Sequence, residues 1–68
     1  MSTKFWIEKI DYRSGELLEK YYAISDEDKI EYMLKDYDKR HLIRKSVGVF
    51  FGLDEEGNCE VTFICKCI

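Results

Sequence analysis

The sequence predicts an α+β fold, a two-layer sandwich in which one helix packs on a four-stranded sheet in the order ββαββ. Three observations carry this expectation. Two stretches of aromatic, β-branched and period-two residues flank the chain, and each is broken by a glycine-containing turn. Between them lies a segment of helical period, opened by Ser25 and three consecutive acids. The 68 residues fit one domain spanning positions 1–68, and 46% apolar with 15% aromatic content in a proline-free chain excludes disorder.

The first hairpin is read from Thr3 to Tyr12 and Leu17 to Ile24, joined by Arg13-Ser14-Gly15-Glu16. A bulged turn at Gly15 would set Tyr12 opposite Glu16, Ile10 opposite Leu18, Glu8 opposite Lys20 and Lys9 opposite Glu19. Two opposite-charge pairs then form together, each contributing ~0.2–1 kcal/mol, which supports the register independently of the turn.

Ser25 is the expected N-cap, and Ile30, Met33, Leu34 and Tyr37 follow at helical spacing, so the helix is predicted from about residue 26 to the low forties. The acids Asp26, Glu27, Asp28 and Glu31 lie near its start, and Lys39, Arg40, Arg44 and Lys45 near its end. That arrangement complements the helix dipole, so the charge segregation needs no ligand to explain it.

From Val47 the period becomes two. A turn at Asp54-Glu55-Glu56-Gly57-Asn58 would pair Leu53 with Cys59, Phe51 with Val61, Val49 with Phe63 and Val47 with Cys65, all on one apolar face. The resulting element order resembles the β-grasp fold of small immunoglobulin-binding bacterial domains and of the ubiquitin core. The resemblance implies terminal strands that run parallel at the sheet centre; an all-antiparallel sheet with strand one beside strand three is the alternative. It implies no activity, because no binding motif of those families is present and fold does not determine function.

Catalytic equipment is sparse. Cys59, Cys65 and Cys67 with His41 suggest a zinc set, but Cys65 and Cys67 project about 6.7 Å apart on an extended strand. Thiolates on one tetrahedral zinc approach to roughly 3.8 Å. The thiols are therefore expected to be free and buried beneath the helix, with no metal or other cofactor. His41 has no serine or cysteine placed for activation, and phosphate loops and paired-histidine motifs are missing from the sequence. A non-enzyme is expected. The longest apolar runs, such as Val49 to Phe51, are too short for a membrane span or secretory signal, which predicts a cytoplasmic protein.

The second face of the sheet is more informative. One helix covers one face, yet apolar residues fall on both. Phe50, Ile64 and Ile68 are expected on the uncovered side of the second hairpin, with Trp6 and Tyr22 beside them from the first. A contiguous aromatic patch on so small a domain points to a protein-binding module that docks on another protein or on a second copy of itself. Its composition suits an accessory regulator or inhibitor of a phage or other mobile element. The alternative is a nucleic-acid binder in which exposed aromatics stack bases while Lys39, Arg40, Arg44 and Lys45 hold phosphates. The net charge of −3 has the wrong sign for that reading.

Overall fold

The computed structural model describes residues 5–67, so Ile68 and the predicted strand start at Thr3 lie outside the described residues. The chain is α+β, but with five strands: β1 (Phe5–Asp11), β2 (Leu17–Ala23), α1 (Asp26–Leu34), β3 (Leu42–Ser46), β4 (Val49–Leu53) and β5 (Cys59–Cys67). The sheet order is β2-β1-β5-β4-β3, and every neighbouring pair is antiparallel.

The fifth strand overturns the predicted ββαββ order and the parallel centre implied by the β-grasp resemblance. The terminal strands do lie side by side, since β1 pairs with β5, but they run in opposite directions. The reason is parity. The pairings make β2, β3 and β5 run the same way. One extra hairpin strand after the helix reverses the direction in which the last strand returns.

That extra strand occupies sequence predicted as helix. The helix begins as expected, with Ser25 Oγ accepting from the Asp28 N–H at 3.1 Å and acids in the first turn. It ends at Leu34, although the Tyr37 N–H still reaches the Met33 carbonyl at 3.2 Å. Beyond this point Asp38 holds the backbone in a turn: its carboxylate accepts from the Arg40 and His41 amides and lies 2.8 Å from His41 Nδ1. A short polar side chain that bonds its own neighbourhood competes with helix propagation. The basic residues Arg44 and Lys45, read as a helix end, instead belong to the edge strand β3.

The β3–β4 hairpin turns at Val47-Gly48, where Gly48 adopts φ +75°. Strand backbone cannot pass through such a residue, and Val47, predicted to face Cys65 in the core, stands 86% exposed.

The first hairpin follows its predicted register at Glu8–Lys20 and Lys9–Glu19, after which an irregularity pairs Ile10 with Leu17 rather than Leu18. Tyr12 falls in the turn, outside β1. The last hairpin keeps the Leu53–Cys59 pair, but an irregularity between Gly52 and Leu53 shifts the rest by one, giving Gly52–Val61, Phe51–Thr62, Phe50–Phe63 and Val49–Ile64. A one-residue slip exchanges the faces of a strand. Phe50 thereby moves to the helix side, and Val49 and Phe51 to the open side. The slip places Gly52 under the Tyr37 ring, where an added Cβ would lie 2.7 Å from a ring carbon. Glu60, the residue left over in β5, accepts a hydrogen bond from the Tyr37 hydroxyl at 2.6 Å.

The core is built on the helix side from Ile7, Tyr32, Met33, Tyr37, Val61 and Phe63, with Tyr21, Leu42, Phe50 and Cys65 packed against it. The predicted stripe is correct at Met33 and Tyr37 but not at Ile30, which is 37% exposed, or at Leu34, which is half-buried. Tyr32 takes the vacated place, stacked on Tyr21 at 4.3 Å with its ring edge toward Phe63 at 6.3 Å.

Candidate interaction surface

Among the described residues no element lies over the side of the sheet opposite α1. Strand alternation and the pairings place Trp6, Glu8 and Ile10 from β1 there, with Lys20 and Tyr22 from β2. Thr62, Ile64 and Lys66 join them from β5, Val49 and Phe51 from β4, and Ile43 from β3. Tyr12 reaches over from the turn, its ring edge-on to Phe51 with centroids 5.9 Å apart. Tyr12 and Tyr22 are each 54% exposed and Ile43 is 45% exposed. Apolar residues thus run across the open face from edge strand to edge strand.

Of the residues expected to form an interface, Trp6 and Tyr22 face each other across β1 and β2, and Ile64 lies on the same face two strands from Tyr22. Phe50 does not belong with them, because the shifted register turns it into the core. Phe51, Val49 and Ile43 were missed. The signals for them were the Val47-Gly48 turn and the alternation Leu42, Ile43, Arg44, in which Leu42 packs inward and Ile43 outward.

The four basic residues of the nucleic-acid alternative are not gathered with the aromatics. Lys39 and Arg40 are exposed in the α1–β3 connection, while Arg44 and Lys45 lie on β3, the edge opposite β2. Arg44 pairs with the inward-facing Phe50 and so shares the helix side.

The two sides differ in how their polar groups are satisfied. On the helix side three tyrosines each donate to a carboxylate: Tyr21 to Asp28 at 2.8 Å, Tyr37 to Glu60 at 2.6 Å, and Tyr32 to Glu19. Burial, and then the adjoining carboxylates, push the Tyr32 and Tyr37 phenols well above the usual tyrosine range. Tyr21 is raised chiefly by its bond to Asp28. On the open side, by contrast, Trp6 Nε1 is buried and has no hydrogen-bond acceptor among the described residues. An unmet buried donor typically costs ~1–3 kcal/mol. The Trp6 ring lies beneath two ammonium groups, Lys20 Nζ at 5.0 Å and Lys66 Nζ at 6.0 Å from its centroid, and Lys66 also approaches Glu8 at 3.4 Å.

The thiols are free but not uniformly buried. Cys59 and Cys65 are half-buried, with burial raising both thiol pKa values, whereas Cys67 is exposed, contrary to expectation. His41 pairs with Asp38, whose carboxyl is held below its usual range chiefly by that hydrogen bond. Among the described residues no helix is long and apolar enough to cross a membrane.

Comparison with protein-family models, with curated proteins and with solved structures gives no match to this chain.

Proposed function

We propose that this domain is a small non-enzymatic protein-binding module, a regulator or inhibitor that acts through the open face of its sheet. One observation carries the reading: the face that no helix covers is lined by Trp6, Ile10, Tyr12, Tyr22, Phe51 and Ile64. Aromatic side chains are enriched in protein interfaces because they bury large rigid areas at small entropic cost. Antiparallel sheets in isolated domains usually present a polar second face to water. The occupant is another protein or a second copy of the chain.

The test is Phe51→Glu. Phe51 is half-buried on the open face, where a charge would be left unpaired inside any docked contact. The variant is expected to keep its circular dichroism spectrum and to lose association, read by light scattering for self-assembly and by affinity capture from the cell of origin for a partner. Loss of a central aromatic anchor typically lowers affinity by about 2 kcal/mol or more, over tenfold. Unchanged association would remove the reading.

A further inference from the structure

The open face differs in charge from the layer behind it. Residues 26–38, which form the helix and the turn after it, carry six acids against two lysines. On the open face of β1, β2 and β5 the charged residues are Glu8, Lys20 and Lys66, so the balance there is cationic in a chain of net charge −3. Both lysines converge on one point, with their ammonium groups over the Trp6 ring. Lys20 Nζ also lies 5.5 Å from the Tyr22 ring centre. At that same point the Trp6 indole N–H is buried without an acceptor among the described residues. The site holds surplus positive charge and an unused donor, and both are answered by an anionic hydrogen-bond acceptor.

Resting on the reading of this face as a docking surface, we infer that its partner is a protein segment presenting carboxylates among apolar side chains, seated with one carboxylate at Trp6. The apolar residues cover Ile10, Phe51 and Ile64, while the carboxylate draws Lys20 or Lys66 off the ring and accepts from the indole N–H that this movement uncovers. A second copy is the poorer occupant. A twofold contact sets a patch against itself, and here it would bring two patches of surplus positive charge together while Glu8 is already engaged by Lys66.

Trp6 is the only tryptophan, so its emission reports on this site alone. The probe is a short synthetic peptide alternating leucine with aspartate, titrated into the intact chain beside a leucine–asparagine control, a leucine–lysine control and a single-stranded oligonucleotide. Sedimentation of the chain alone is measured in parallel. The expected result is a saturable change in Trp6 emission with the aspartate peptide, weakening as salt is raised. The asparagine peptide should bind about tenfold more weakly and the lysine peptide not at all. Lys20→Gln combined with Lys66→Gln should abolish the preference for aspartate while leaving circular dichroism unchanged.

Equal binding of the aspartate and asparagine peptides would overturn the acidic partner and leave the docking face standing. So would a dimer that Phe51→Glu dissociates while no peptide binds, which would make the second copy the occupant. A response to the oligonucleotide alone would replace the carboxylate with phosphate and overturn the inference. No response to any probe, together with an association that Phe51→Glu leaves unchanged, would remove both the inference and the reading beneath it.

Discussion

The two faces of the sheet are made from nearly the same kinds of residue but are finished differently. Behind the sheet, Ile7 and Met33 are fully buried, Phe63 is 1% exposed, and each of three tyrosines places its hydroxyl on a carboxylate. In front of it, Trp6, Tyr12, Tyr22 and Phe51 supply comparable aromatic surface, yet two of these rings are more than half exposed and the Trp6 donor is unmet among the described residues. Composition alone does not separate a core from an interface. Satisfaction of the polar atoms within the apolar surface does, because a core must complete its hydrogen bonds internally while an interface leaves some to its partner.

The widest gap between the faces is expected at neighbouring residues of β5. Phe63→Ala removes a fully enclosed ring that touches Tyr32 and Tyr37 edge-on, and should cost ~3–5 kcal/mol, enough to unfold much of so small a domain. Ile64→Ala, one residue on and facing the other way, should cost about 1 kcal/mol or less. Urea unfolding of both variants measures the difference. Similar losses would mean that the open face is itself core and that the distinction between the faces fails.

That pair also marks how far the fold was legible from the residues. The inward facing of Phe63 follows from alternation within β5 and holds. Phe50 was assigned to the wrong face because its side depends on register, and the Gly52/Leu53 irregularity shifts register without altering the apolar alternation that a reader counts. Strand β3 was hidden for an electrostatic reason: Arg44 and Lys45 suit a helix C-terminus and an edge strand equally well, since a charged edge also resists unwanted pairing. The first hairpin was readable because Glu8–Lys20 and Lys9–Glu19 specify pairing through charge. Trp6, Tyr22 and Ile64 were found on the open face; the lysines over Trp6 were not, because their convergence depends on β1 lying between β2 and β5.

A smaller contrast is expected in alkali. The Tyr21, Tyr32 and Tyr37 phenols are raised in the folded chain, so the native state binds their protons more tightly than the unfolded state. Their contribution is complete below the unfolded tyrosine value of about 10, and declines as pH rises from there through the folded values. Unfolding free energy should therefore fall above pH ~10. Tyr32→Phe should flatten that decline. A Tyr32→Phe variant with the same alkaline slope as the parent chain would dissociate the alkaline loss from the helix-side clasp.

The smallest effect on stability, and the sharpest test of the difference between the faces, comes from a matched pair of phenylalanine substitutions. Tyr37→Phe deletes a hydroxyl that donates to Glu60 at 2.6 Å and keeps the ring over Gly52, so it loses a formed hydrogen bond worth about 1 kcal/mol. Trp6→Phe deletes a donor that has no acceptor among the described residues. The loss of indole area and of contact with Lys20 and Lys66 opposes stability, while removal of the unmet N–H favours it, and the two are of similar size. The expected net change is within about 0.5 kcal/mol of zero by urea unfolding. The same substitution should lower affinity for the leucine–aspartate peptide, followed by calorimetry since the fluorophore is gone. A Trp6→Phe variant destabilised as much as Tyr37→Phe would show that the indole donor already contributes to folding, and that the open face is as complete as the one behind it.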